Sequence, residues 1–277
     1  MAQTAAKKLL VVGGTGFLGQ SICKHATRQG WETVSLSRHG VPAAFQQGPR
    51  PSWADKVQWA SGDSLDPTSY TPLLENVTDI VHTVGIISEV DYKSLANAKN
   101  LCEAASGASR VFGEMIGMRD RGNPFDAQHP APTFERMNRD TAVALAQEAA
   151  KLSTMDAFVY ISASDVFPLV DPRYISSKRQ AEKYLFSRPE FRTIALRPGF
   201  MYSQDRPVAM PVAAAIQLAN MVTSPVSKEV NSLPFGSSLT TPPLHIDTVA
   251  KAVIASINSP KLKGIFDVQD IQRLSHT

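Results

Sequence analysis

The stretch Lys8-Leu-Leu-Val-Val-Gly-Gly-Thr-Gly-Phe-Leu-Gly19 constrains the fold of this chain more than any other. A run of aliphatic residues ends in a glycine-rich turn, and an amphipathic segment, Phe17 to Gln29, follows at once. The pattern reads as strand, turn, helix, with Gly13, Gly16 and Gly19 in the spacing G-x-x-G-x-x-G. Gly13 permits a tight turn, Gly16 lets the backbone approach a pyrophosphate, and Gly19 lets the helix pack close to the strand. The free N–H groups and partial positive charge of the helix N-terminus then favour phosphate. A dinucleotide site is expected over this turn, with Thr15, Phe17 and Leu18 beside the glycines.

The remaining totals narrow the class. With 277 residues and 43% hydrophobic side chains, the chain can build one large core or a core with a smaller lobe. The net charge of +3 comes without a block of like charges, so nucleic acid is not an expected partner. Cys23 and Cys102 fall in predicted helical stretches without metal-ligand spacing, so a reducing compartment and no metal site are expected. No run approaches the roughly 18 apolar residues that a membrane span needs. The glycine fingerprint starts so near Met1 that a cleaved targeting peptide would take the first strand with it. The first 31 residues hold no acid and include Lys7, Lys8, Lys24 and Arg28. That bias is compatible with an uncleaved organellar signal, and chance explains it as well.

After the first helix Gly30 is a natural stop, and Thr33 to Ser37 reads as the second strand. An NAD-selective site places a carboxylate near the end of this strand to hold the ribose 2′-hydroxyl. Here Ser37-Arg38 stands instead. A guanidinium beside a hydroxyl suits a 2′-phosphate, which favours NADP(H) over NAD(H); a solvated turn residue is the plainer reading of Arg38. Residues 40–56, rich in Pro, Gly and Gln, read as an irregular loop. Val57 to Ala60 is expected as a third strand, ending at Gly62-Asp63, and Asp79 to Val84 as a fourth, ending at Gly85. Strands alternating with helices predict a parallel, doubly wound sheet whose ligand lies beyond the carboxyl ends of the strands. Asp63 and Ser64 would then meet the adenine end, and Thr83, Val84 and Gly85 would run along the cofactor. An ordinary turn cap is the alternative for Asp63.

Residues 86–136 exceed a simple crossover and read as an insertion, with a helix around Tyr92–Ala105 and a Gly/Arg/Pro-rich stretch, Gly113 to Pro132. Its Met115, Ile116 and Met118 would pack against the body or face a lipid-like ligand. Met137 to Leu152 is expected as a helix and Ala157 to Ser162 as the fifth strand. Tyr174-Ile-Ser-Ser-Lys178 follows. One helical turn apart, the phenol and the ammonium share a face, and the ammonium stabilises phenolate for proton transfer.

Taken together, these pieces resemble the short-chain dehydrogenase/reductase superfamily in its extended or atypical branch. The matching segments are the fingerprint to Gly19, Gly62-Asp63, Asn138, the Tyr174/Lys178 pair, Leu196-Arg-Pro-Gly199 and His245-Ile-Asp-Thr-Val-Ala250. The resemblance implies a Rossmann-type α/β fold of about seven strands with a small C-terminal lobe. It implies a single unit over 1–277, with a core to about 200, the insertion at 86–136, and the lobe over about 201–277. Tyr174 would be the acid/base and Lys178 would hold the nicotinamide ribose near Pro198, with Asn138 in the supporting network. The superfamily's active serine falls at Ala163 in Ser162-Ala-Ser164, so Ser162 is the expected catalytic hydroxyl. If strand alternation holds, Ser162 and Ser164 share a face opposite to Ala163.

Longer segments are similar to a narrower group, the fungal mitochondrial members of this superfamily in coenzyme Q biosynthesis. These are Val81-His-Thr-Val-Gly-Ile86, Phe158-Val-Tyr-Ile-Ser-Ala163, Phe167 to Glu182 and Arg197-Pro-Gly-Phe-Met201. That group is itself similar to a nucleotide-binding accessory subunit of respiratory complex I. The likeness implies a regulatory or assembly component of the coenzyme Q biosynthetic complex, on the matrix side of the mitochondrial inner membrane and peripheral to it. It allows an oxidoreductase acting on a quinone or prenylated ring. The alternatives are an inactive subunit held together by its nucleotide, and a soluble NADPH-dependent reductase of a small carbonyl metabolite. The apolar run Pro211 to Val222 is too short to span a bilayer, and would be a core-facing helix or the wall of an isoprenoid pocket. His245 and Asp247 are read as structural.

Overall fold

The computed structural model describes residues 7–87, 132–165, 171–203 and 241–277. The predicted helix around Tyr92–Ala105, Met115, Ile116, Met118, Cys102, Val166-Phe167 and the run Pro211 to Val222 lie outside the described residues.

The expected alternation of strand and helix is present. Strands β1 (Lys8–Val12), β2 (Glu32–Ser37), β3 (Val57–Ser61), β4 (Asp79–His82), β5 (Ala157–Ile161) and β6 (Arg192–Leu196) enter one sheet; two short strands, β7 (Met201–Tyr202) and β8 (Leu244–His245), pair apart from it, and β9 (Gly264–Phe266) rejoins it. The main sheet has seven strands in the order β3-β2-β1-β4-β5-β6-β9, and every pairing in it is parallel. The order reverses between β1 and β4. Two chain segments diverge there and leave a crevice above the strand ends, the place where such sheets bind ligands.

Both faces of the sheet are covered. Successive side chains of a strand point to opposite faces, so Leu9 and Val11 enter one core and Leu10 and Val12 the other. The first core holds helices α1 (Phe17–Arg28), α5 (Ile246–Asn258) and α6 (Val268–Leu274). The second holds α3 (Thr141–Ala149) and α4 (Pro172–Phe186). Among the described residues no helix is long and apolar enough to cross a membrane.

Three expectations need correcting. Residues 40–56 are not wholly irregular: Ala43–Gln47 forms a short helix, α2, and Ala54–Lys56 a 3-10 turn. An edge-to-face cluster of Phe45, Trp53 and Trp59 holds them together. β4 stops at His82 rather than Val84; beyond it the Thr83 N–H and hydroxyl both donate to Val12 O at 2.9 Å. The helix expected over Met137–Leu152 begins earlier and ends at Ala149, and its opening Glu135–Asp140 is wound as a π-helix.

Candidate active site

Local chemistry fixes the turn after β1. Gly13 has φ +86, where a side chain is strained, and its N–H donates to Leu36 O of β2. A Cβ on Gly19 would lie 2.2 Å from Gly13 O, so only glycine lets α1 start this close to the strand. Gly16 caps α1 without a side-chain bond, and the first turn of α1 holds no acid. The N-terminus of α1 therefore offers its partial positive charge to an anion, and Thr15, Phe17 and Leu18 border it.

Across the crevice, Gly85 follows β4. A Cβ there would fall 2.7 Å from Asn138 Oδ1 and 2.9 Å from Lys178 Nζ. Asn138 thus meets the end of β4 directly. Its Oδ1 accepts from Ile86 N–H, and its Nδ2 donates to Ile86 O and to Ser177 Oγ. The π-wound turn carries Asn138 while α4 carries Ser177, so this one amide ties two helices to the crevice.

Lys178 is buried in α4 beneath Tyr174. Its Nζ donates to Ile161 O at 2.9 Å and stands 5.0 Å from the centre of the Tyr160 ring. Burial lowers its pKa to about 7, Glu182 opposing and Arg179 adding to the effect. The Tyr160 hydroxyl donates to Asn138 O at 2.6 Å, and burial together with Tyr174 and Glu182 holds that phenol neutral. His82 packs against Tyr160 with ring centres 5.6 Å apart. The Thr141 hydroxyl donates to Met137 O and so receives a proton from His82 Nε2. Burial, and then the Lys178 charge, depress the His82 pKa to about 3. Tyr174 stands edge-on to Phe134 at 6.1 Å.

Ser162 lines the same cavity, but its hydroxyl is committed elsewhere. It donates to Glu182 Oε1 at 2.5 Å and accepts from Arg179 Nη1 at 3.0 Å. Glu182 is buried between Arg179 and Arg197 and is held below the ordinary carboxylate range; burial opposes this, and the Arg197 and Ser162 hydrogen bonds prevail. Glu182, Arg179 and Tyr160 were not expected from the sequence. A residue four after Lys178 on the same helical face was the available signal for Glu182.

A cavity of about 290 Å³ opens beside Tyr174. Phe17, Ile87, Ile175, Phe200 and Met201 supply its apolar wall, Pro198 belongs to it, and among the described residues none lining it is charged.

The outer cofactor residues lie at the strand ends. Arg38 is exposed after β2, its carbonyl held by the Ser61 hydroxyl, and its chain neighbours Ser37 and His39 are not acids. The Ser37 hydroxyl donates to Gly40 O. Asp63, with Ser64 next to it, is exposed and accepts from Leu65 N–H, the turn-cap geometry weighed for it. His245 caps α5 through Nδ1, and Asp247 accepts from Ser21 Oγ and His25 Nε2, binding α5 to α1.

Residues 9–266 match the NAD dependent epimerase/dehydratase family. The chain belongs to that family. Its short-chain dehydrogenase/reductase character is thereby settled, and so is the Rossmann-like fold. A Saccharomyces cerevisiae protein named MIOREX complex component 2 is 32% identical over 95% of this chain and 98% of its own length. An uncharacterized chloroplastic protein of Arabidopsis thaliana is 27% identical over 98% of this chain and 78% of its own. The fold is shared with the UDP-glucuronic acid 4-epimerase from Bacillus cereus in complex with NAD, at TM-score 0.56 and 17% identity, covering 94% of this chain and 76% of that one. It is shared also with the Bordetella bronchiseptica enzyme WbmG in complex with NAD, at TM-score 0.54 and 13% identity over 96% and 73% of the two chains.

The residues present fit a nicotinamide dinucleotide. The start of α1 has no side-chain cap and no acid in its first turn, which suits a pyrophosphate, and glycine at 85 lets Asn138 and Lys178 close in on the crevice.

Proposed function

We propose that this chain is an NADP(H)-binding oxidoreductase that works as a component of the coenzyme Q biosynthetic complex, on the matrix face of the mitochondrial inner membrane. Its substrate is a quinone-type or prenylated ring carrying a carbonyl. The observation that carries this reading is the cavity running from Phe17, at the start of α1, to Tyr174, whose lining among the described residues carries no charge. A neutral ring leaves water for such a site at a gain of about 25 cal/mol per Å² of apolar surface, whereas a charged ligand would lose its hydration there without a partner. The kinship with a protein named as a complex component supports the assembly, and Arg38 without a neighbouring acid supports the 2′-phosphate.

The dinucleotide, when bound, supplies the hydride. Tyr174 gives its proton to the carbonyl oxygen, so hydride and proton together turn the carbonyl into a hydroxyl. Lys178, one turn further on, provides the positive charge that favours the phenolate left behind. Asn138 holds Ile86 and α4 in fixed relation, and the apolar wall excludes water from the ring.

The test is NADPH oxidation with a tail-less methoxylated benzoquinone. Tyr174→Phe is expected to lower kcat by about 10²-fold or more, with nucleotide affinity nearly intact. An unchanged rate refutes the assignment of Tyr174.

A further inference from the structure

We infer that Ser164, not Ser162, is the hydroxyl that receives the substrate, donating a hydrogen bond to an oxygen of the ring. The inference rests on the ring-binding reading of the cavity given above.

Three residues at the end of β5 line that cavity: Ser162, Ala163 and Ser164. Ala163 has no polar side-chain atom. The Ser162 proton is spent on Glu182, and Arg179 occupies its acceptor side. Ser164 differs from both. Its Oγ is buried and has no hydrogen-bond partner among the described residues. An orphan hydroxyl is costly in a folded protein, and it persists where something else answers for the cost.

The surroundings are built to keep this hydroxyl in place and uncovered. Ser164 N–H donates to Pro198 O at 3.0 Å. On either side, Arg179 Nη2 donates to Ala163 O at 2.8 Å and to Asp165 Oδ1 at 2.6 Å. The backbone is thus held before and at Ser164, and the Asp165 side chain after it, as a preorganised donor requires. Opposite stands Gly199, where an added Cβ would come within 3.6 Å of Ser164 Oγ. With glycine there, no side chain from that position stands against the hydroxyl, and Gly199 itself lines the cavity. The group that satisfies Ser164 is therefore a ligand atom, and in a cavity whose described lining carries no charged side chain it is a neutral acceptor. A carbonyl oxygen on a ring has that chemistry. The hydroxyl has moved along the chain by one residue from the position the superfamily resemblance gave it.

Two probes separate a hydrogen bond from mere shape. One is the tail-less methoxylated benzoquinone; the other is the same substituted ring without its carbonyl oxygens. Each is titrated calorimetrically into wild type, Ser162→Ala and Ser164→Ala, all saturated with NADP⁺ so that no hydride is transferred. Ser164→Ala is expected to weaken the quinone about tenfold and to leave the carbonyl-free ring unchanged. Its nucleotide affinity is wild type and its Tm is at or above wild type, since an orphan hydroxyl has been removed. Ser162→Ala is expected to lower Tm with the quinone affinity kept. Equal binding of the quinone by Ser164→Ala and wild type overturns the assignment, as does an equal loss for both probes. A loss found in Ser162→Ala instead also overturns it. If the NADP⁺-loaded wild type binds neither probe, the ring-binding reading falls and this assignment falls with it.

Discussion

Replacing Glu182 by Gln tests whether the charge network under the cavity is a structural keystone. The Glu182 carboxylate accepts from Arg197 Nε at 3.0 Å and Arg197 Nη2 at 2.5 Å, from Arg179 Nη1 at 2.8 Å, and from Ser162 Oγ at 2.5 Å. It thereby joins α4 to the ends of β5 and β6. The amide keeps the shape but loses the charge, and it turns an N–H₂ group toward a guanidinium. Removing one partner of a buried pair costs about 3–5 kcal/mol. Both arginine side chains are 24% exposed and recover some hydration, which puts the expected loss at the lower end, about 3 kcal/mol. For a chain of this size that corresponds to a fall in Tm of roughly 6–12 °C.

Linkage supplies a second readout on the same variant. The folded pKa of Glu182 lies below its unfolded value, so its contribution is complete above the unfolded value of about 4.3 and is lost as pH falls through the folded one. Urea titrations from pH 7 down to pH 3 should therefore show a shallower acid limb for Glu182→Gln than for wild type. A variant within 1 kcal/mol of wild type at pH 7, or acid limbs that superimpose, would refute the keystone role.

Further outcomes can be checked on the same protein. Arg38→Ala should weaken NADPH by about tenfold, the loss of a charge-assisted contact, and leave NADH unchanged; calorimetry with both nucleotides decides it. Lys178, with a pKa of about 7, should take up a proton when ribose hydroxyls arrive as acceptors; calorimetry near pH 8 in buffers of different ionisation enthalpy should show uptake in wild type and none in Lys178→Met. Asp247→Asn weakens the tie from α5 to Ser21 and His25 and should lower stability by about 1–2 kcal/mol in urea without changing the crevice.

What could be read from the sequence was what depends on neighbours along the chain. The run Leu9–Val12 and the glycines after it announce a strand and a phosphate turn because both signals are local. The Tyr174/Lys178 pair is legible for the same reason, being one turn apart. The π-winding at Asn138 is not local: an extra residue in a turn depends on where the amide must reach, here Ile86 and Ser177. Nor could the fate of Ser162 be foreseen, since Glu182 and Arg197 reach it only after β5, α4 and β6 have assembled. The short helix Ala43–Gln47 was hidden by its Pro, Gly and Gln context and depends on the aromatic cluster with Trp53 and Trp59.

The contact between α1 and α5 bears on how the chain is made. Leu18, Ile22, Cys23 and Ala26 of α1 share a core with Val249, Ala250 and Val253 of α5, and Ser21 meets Asp247 across 226 residues of sequence. At about 5–20 residues added per second, the apolar side of α1 leaves the ribosome roughly 10–45 s before its cover exists. Through that interval the nucleotide turn sits on a half-built layer whose sticky face is open to other chains. A chaperone, or a partner already waiting, would therefore find its first foothold on α1.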